Sequence, residues 1–175
     1  MSPALARALL VLRGLVPAAA ALAAVLLAVL PFGVPRLAVV TPFFALIVVY
    51  YWSVYRPDLL PVWAVFLLGL CQDLLTGAPT GLVALVLVLV HALAVSQRRV
   101  LLGQTFAVEW AGFLLVAAGT AMLAWLLVSL WHTALLGPMP FAMQAAFTVA
   151  LYPLGAWLLA FSARVARPAG ISVSR

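Results

Sequence analysis

The chain has 175 residues, of which 69% are hydrophobic and 7% are charged, and its mean hydropathy is +1.31. A soluble domain of this size cannot cover its surface with so few charged side chains, so the composition excludes a soluble protein and indicates a membrane protein. The net charge of +6 comes from nine arginines against three acidic residues. Because no cluster of these arginines is backed by a soluble folded surface, we attribute the charge to membrane topology and lipid contact, and predict no nucleic-acid binding.

Six apolar stretches have a length near the roughly 20 residues that a membrane-spanning helix needs. In chain order they are Leu15–Leu30, Leu37–Tyr55, Leu59–Thr76, Thr80–Val95, Phe106–Leu130 and Phe141–Phe161. No stretch alternates between apolar and polar residues as a membrane β-strand does. The sequence therefore predicts an all-α integral membrane protein: one transmembrane domain over residues 1–175, built as a single bundle of six transmembrane helices.

The arginines divide unevenly between the two sides that this topology predicts. Eight precede the first span, follow the last span or lie in the loops after the second and fourth spans, whereas only Arg36 lies on the other side. Because an excess of basic residues marks cytoplasmic loops, both termini are expected to be cytoplasmic.

The third predicted span contains an acidic residue, Asp73, in the run F-L-L-G-L-C-Q-D-L-L-T-G-A-P-T-G from Phe66 to Gly81. At helical spacing, one face carries Gly69, Gln72, Asp73 and Thr76, and another carries Leu67, Leu70, Cys71 and Leu74. An ionisable group in a span is costly and faces protein or water rather than lipid. The third helix is therefore expected to have one protein-facing side and one lipid-facing side.

Two interpretations of Asp73 stay open at this stage. It lies about one turn, roughly 5 Å, from the outer end of its helix. Its carboxylate either reaches water or accepts hydrogen bonds from Thr76 or the Gly77 backbone, or it contacts a partner or ligand directly.

The residues around Asp73 are expected to have mainly structural roles. Gly69, Gly77, Pro79 and Gly81 are predicted to shape the turn and to allow close helix packing. Arg56-Pro57 is typical of a helix boundary, with contact to a partner or to a phosphate headgroup as the alternative.

No arrangement of residues predicts catalysis. Glu109 is expected to be a helix-start charge near Arg98 or Arg99. His91 is predicted near the cytoplasmic side of the membrane and His132 near the outer side, so the two are not expected to share a metal ion. We therefore predict no catalytic residue, no cofactor-binding residue and no metal ligand.

The segment from Arg56 to Gly81 resembles the MreD family of rod shape-determining membrane proteins. It carries Arg56-Pro57 near the start of one helix and then the pattern F-x-x-G-x-x-x-D-x-x-x-G-x-P-x-G, and the chain is also similar to that family in size, hydropathy and number of spans. The resemblance, together with the polar face that adds Gln72, gives a candidate partner-contact or structural motif of Arg56, Pro57, Gly69, Gln72, Asp73, Gly77, Pro79 and Gly81.

The resemblance implies a non-enzymatic component of the bacterial elongation complex in the cytoplasmic (inner) membrane, where lateral peptidoglycan synthesis maintains cell shape. It also implies the partners MreC, RodA and the transpeptidase that works with RodA, and indirectly MreB.

A second function class fits the same size and span number. The substrate-binding subunits of energy-coupling-factor vitamin importers are also small six-helix membrane proteins, and they dock through Ala-xxx-Ala faces like that of the first span. A ligand would then lie near Asp73 and the Gly77–Gly81 turn. The outer loops, however, offer few polar groups to orient a vitamin.

Overall fold

The computed structural model describes residues 19–26, 42–77, 79–133 and 137–165. Within these ranges the chain forms α-helices, one short 3-10 helix and no strand. The helices are α1 (residues 19–26), α2 (Phe44–Tyr55), α3 (Val62–Thr76), α4 (Leu82–Leu101), α5 (Phe106–Trp131) and α6 (Met139–Val165), and the 3-10 helix Pro57–Leu59 precedes α3. The expectation of an all-α fold is confirmed for the described part of the chain.

Each predicted span overlaps one of these helices, but several ends differ. The third helix begins at Val62 rather than Leu59, because Pro57–Leu59 forms the 3-10 helix and Pro61 is the N-cap of α3. The fourth continues past Val95 to Leu101 and has Arg98 and Arg99 in its last turn, where basic side chains suit the negative end of the helix dipole.

Three described helices are long and apolar enough to cross a membrane: α4, α5 and the part Met139–Phe161 of α6. The apolar helices α2 and α3 are shorter, with 12 and 15 residues. The predicted segments 15–18, 27–30 and 37–41 lie outside the described residues. The count of six spans and the position of the termini therefore stay predictions.

The central helix of the bundle is α2, in which ten consecutive residues, Ala45 to Val54, are buried. A helix that is apolar on every side lies either within protein or in lipid, and the burial of α2 places it within protein. Its main neighbours are α4 and α6. The α6 backbone approaches closely at Gly155, where a Cβ atom would lie 2.8 Å from Ile47 Cγ2.

At the edge of the bundle, α3 packs chiefly against α4. Its buried residues are Val65, Gly69, Gln72 and Asp73, whereas Leu67 and Leu74 on the opposite face are 53% and 67% exposed. The sequence-based assignment of one buried side and one exposed side is thus confirmed for Gly69, Gln72 and Asp73 and for the two leucines. It is wrong for Thr76, which is exposed because it lies in the last turn of α3. Exposed large apolar side chains also cover the outward faces of α4, α5 and α6, as expected for helices surrounded by lipid.

Candidate functional site

The turn between α3 and α4 depends on two glycines with left-handed backbone conformations. Gly77 ends α3 at φ 69° and Gly81 starts α4 at φ 97°. Only glycine adopts such angles without a steric cost, and Gly77 is in the usual position for ending a helix. Between them, the Pro79 carbonyl accepts a hydrogen bond from the Leu82 N–H at 3.1 Å. The turn directs the start of α4 back toward the last two turns of α3.

The Asp73 carboxylate, which is fully buried, binds the first turn of α4. Its Oδ2 accepts hydrogen bonds from the backbone N–H groups of Gly81 at 2.8 Å and Ala84 at 3.4 Å, and its Oδ1 accepts one from Val83 at 3.0 Å. The first N–H groups of a helix have no partner within the helix, and a negative charge suits this end of the dipole. We call this arrangement of Asp73 with the three N–H groups the Asp73 cap.

Gly69 allows the two helices to approach closely enough for the Asp73 cap to form. It lies one turn before Asp73 on the same face of α3. A Cβ atom at this position would lie 2.7 Å from the Ala84 backbone nitrogen and 3.1 Å from Ala84 Cβ. Because the atoms of Ala84 nearest to it belong to the backbone, a side chain at position 69 requires the helices to separate.

The expected surroundings of Asp73 were wrong in two respects. The carboxylate does not reach water, since it is 0% exposed, and its donors lie on α4 rather than at Thr76 or Gly77. The Thr76 hydroxyl instead donates to the Gln72 carbonyl at 2.8 Å. The Gln72 side chain is buried beside Asp73, and its Oε1 has no hydrogen-bond partner among the described residues.

Arg56 and Pro57 lie at the other end of α3, a helix of 15 residues that is about 22 Å long. The Arg56 N–H donates to the Trp52 carbonyl at 2.8 Å and thereby ends α2, and Pro57 begins the 3-10 helix. The prediction of a helix boundary is confirmed. The structure therefore divides the candidate motif: Gly69 to Gly81 form one site, and the exposed Arg56 is separate from it.

A second buried acidic residue was assigned only in part from the sequence. Glu109 lies in the first turn of α5, as expected of a helix-start charge, but among the described residues it forms no ion pair with Arg98 or Arg99. It is 7% exposed and accepts hydrogen bonds from two tyrosines. The Tyr55 hydroxyl of α2 donates to its Oε2 at 2.6 Å, and the Tyr152 hydroxyl of α6 donates to its Oε1. No local pattern indicates this contact, because the tyrosines are 54 residues before and 43 residues after Glu109.

Two further polar contacts join α2 to its neighbours. Ser53 Oγ donates to the Val49 carbonyl at 2.6 Å and lies 2.7 Å from His91 Nδ1 of α4, so the ring N–H donates to the hydroxyl. At the start of α2, the Phe43 N–H donates to the Thr148 hydroxyl of α6 at 2.9 Å. The interior polar groups in these contacts hold helices together.

An open groove of about 440 Å³ lies between the start of α4 and the end of α5. Its lining residues are Pro79, Thr80, Gly81, Leu82, Leu85, Leu127, Leu130 and Trp131. None of them is charged, and only Thr80 and Trp131 have polar side-chain atoms. Such a surface offers little to orient a vitamin, which argues against the importer interpretation.

The apolar outer faces, the long apolar helices and the acidic groups used in contacts between helices define a helical integral membrane protein. Residues 9–162 match the family model described as rod shape-determining protein MreD. Because this match covers most of the chain, the chain belongs to the MreD family, as its resemblance indicated, and its role lies in determining rod cell shape. Neither the comparison with curated proteins nor the comparison with solved structures yields a match.

Proposed function

We propose that this protein is a non-enzymatic membrane component of the bacterial elongation complex. In this proposal it holds MreC together with RodA and its transpeptidase partner in the cytoplasmic membrane, and is linked indirectly to MreB, so that peptidoglycan is inserted along the side wall. The observation that carries the proposal is the family match over residues 9–162. The proposed topology has six spans with both termini in the cytoplasm, which the division of the arginines supports.

The chemistry of the interior supports a scaffold rather than an enzyme. Among the described residues, the buried acidic and histidine side chains are used in separate contacts between helices: Asp73 with the start of α4, Glu109 with two tyrosines, and His91 with Ser53. A catalytic site needs such groups to converge on one accessible cavity. The groove between α4 and α5 contains none of them.

In this proposal the motif acts mainly through the fold. The Asp73 cap and Gly69 hold α3 against α4. This contact determines the position of α3, because α3 has few other neighbours in the described part of the chain. The orientation of α3 then determines which exposed side chains, such as Phe66 and Leu67, face the surrounding membrane and its proteins. Partners that pack against this bundle depend on that orientation.

The proposal is tested by replacing the chromosomal copy with a tagged copy under a repressible promoter in the native host. Depletion is expected to convert rods to rounded cells. Purification from detergent-solubilised membranes is expected to recover MreC with RodA or its transpeptidase partner, identified by mass spectrometry. Retention of rod shape after depletion, or recovery of an ATPase pair with a coupling membrane subunit, would contradict the proposal.

A further inference from the structure

The Glu109 carboxylate has unused acceptor positions although it is buried where α2, α5 and α6 meet. Tyr55 and Tyr152 each donate one hydrogen bond, to different oxygens of the carboxylate. An ionised carboxylate offers about four acceptor positions, so two hydroxyl donors leave room for another. Among the described residues, no basic side chain forms an ion pair with Glu109. Its charge is therefore stabilised by O–H donors and by the start of α5.

A third tyrosine hydroxyl points at the same stretch of α5. Tyr50 is 1% exposed, and its hydroxyl has no hydrogen-bond partner in the part of the chain that the structure describes. Its ring packs edge-on against Tyr152, with 5.9 Å between ring centroids. The hydroxyl lies 3.1 Å from the position that a Cβ atom would have at Gly112, which is one turn after Glu109. A Cβ atom at position 112 would crowd this hydroxyl, so Gly112 allows the Tyr50 hydroxyl to approach the α5 backbone one turn from Glu109.

A buried hydroxyl beside a carboxylate with free acceptor positions is the setting in which proteins hold internal water. A water molecule accepts one hydrogen bond from a hydroxyl and donates two, which matches what Tyr50 gives and Glu109 can receive. An apolar occupant satisfies neither group.

We propose that Glu109, Tyr50, Tyr55 and Tyr152, here called the Glu109 cluster, bind one internal water molecule that connects the Tyr50 hydroxyl to the Glu109 carboxylate. The bound water gives the Glu109 carboxylate a third O–H donor. Through this carboxylate and its donors, the cluster joins α2, α5 and α6. This inference does not depend on the proposed function.

The sign of one change in melting temperature tests the proposal. A hydroxyl that is buried without a partner destabilises the protein, so its removal raises the melting temperature, whereas a hydroxyl that holds a water molecule stabilises it. We expect Tyr50→Phe to lower the melting temperature of the full chain in detergent or nanodiscs. The same change in a Glu109→Gln background is expected to have a smaller effect, because the two groups share the water.

Ser129→Ala is the matched control. Ser129 is also buried and its hydroxyl has no partner among the described residues, but it lies 20 residues from Glu109 along α5. This change is expected to leave the melting temperature unchanged or to raise it. An equal or higher melting temperature for Tyr50→Phe would overturn the proposal.

Radiolytic footprinting gives an independent test, because hydroxyl radicals formed from bound water oxidise the side chains beside it. Tyr50 is expected to be oxidised at least threefold faster than Phe113, which is 0% exposed and packs against it at 5.1 Å between ring centroids. Equal rates at the two positions would overturn the proposal. A third measurement compares the melting temperature in sodium chloride and in choline chloride. If sodium raised the melting temperature of the wild type but not that of Glu109→Gln, the occupant would be a cation and the proposal would be overturned.

Discussion

The two buried acidic residues of the described chain are held by different kinds of donor. The Asp73 carboxylate is bound by backbone N–H groups at the start of the next helix, 8 to 11 residues along the chain. The Glu109 carboxylate is bound by side-chain hydroxyls from two helices that are distant in sequence. One contact closes a local hairpin, and the other joins three separate helices.

This difference in donors determines which substitutions of the acidic residue each site tolerates. Backbone N–H groups point in fixed directions and only donate, so the residue at position 73 must accept hydrogen bonds. A tyrosine hydroxyl rotates, and both donates and accepts, so the Glu109 cluster can adapt to a neutral amide. We therefore expect the Asp73 cap to be the less tolerant site, although Asp73 and Glu109 are both almost completely buried.

The largest effect is expected from Asp73→Ala, which removes the acceptor and leaves the first N–H groups of α4 buried without a partner. We expect the free energy of unfolding to fall by about 3 kcal/mol, because bonds to a charged acceptor and a helix cap are lost together. Chemical denaturation in a mixed micelle measures this change. Asp58→Ala is the control, since Asp58 is an exposed acidic residue, and a similar loss in both variants would contradict the assignment.

Gly69→Ala is expected to be the next most severe change. The added Cβ atom meets the Ala84 backbone, so α3 and α4 must separate and the Asp73 cap must lengthen. We expect a loss of about 2 kcal/mol, which is typical of overpacking in a close contact. Gly119→Ala provides the comparison, because a Cβ atom there meets nothing within 4 Å. Equal stability of the two variants would show that α3 and α4 are not in close contact at this point.

Gly81→Ala is expected to cost about 1.5 kcal/mol, because alanine is strained at a φ of 97° even though its Cβ atom has space. The change moves the Gly81 N–H that donates to Asp73 without removing it. Gly137→Ala, at an exposed glycine without positive φ, should be close to neutral when both are compared by thermal unfolding.

Glu109→Gln is expected to have the smallest effect, below about 1 kcal/mol, since one tyrosine hydroxyl still donates to the amide oxygen and another can rotate to accept from the amide nitrogen. Asp73→Asn, the same change of a carboxylate to an amide, should cost about 2 kcal/mol because its amide nitrogen faces donors only. Parallel denaturation curves give both values. A larger loss for Glu109→Gln than for Asp73→Asn would reverse the comparison between the two sites.

The sequence was informative about the local hairpin and uninformative about the distant contacts. The spacing of Gly69, Gln72 and Asp73 identified the buried face of α3, and Gly77 and Gly81 indicated the turn. The donors of the Asp73 cap could not be identified, because every residue except proline carries a backbone N–H group. The length of the turn was the available signal, since a short turn places the start of α4 beside the end of α3.

The Glu109 cluster lacked even that signal. Tyr50, Tyr55 and Tyr152 occur in apolar runs where tyrosine is common near membrane interfaces. Likewise, the apolar stretch of α2 predicted a span but not that α2 lies at the centre, because a lipid-covered helix and a protein-covered helix have similar composition. These features depend on which helices pack together, and periodicity within one helix does not determine that.

Hydrogen exchange at the first amides of α4 tests the Asp73 cap most directly. The N–H groups of Gly81, Val83 and Ala84 precede the first full turn of helix bonds, and Asp73 is their hydrogen-bond acceptor. The first amides of α5, where Thr105 provides no side-chain cap, serve as the reference. We expect slow exchange at the three α4 amides in the wild type and at least tenfold faster exchange in Asp73→Asn. The assignment of the Asp73 cap would be contradicted if, in the wild type, the three α4 amides exchanged as fast as the first amides of α5. It would also be contradicted if Asp73→Asn left their exchange unchanged.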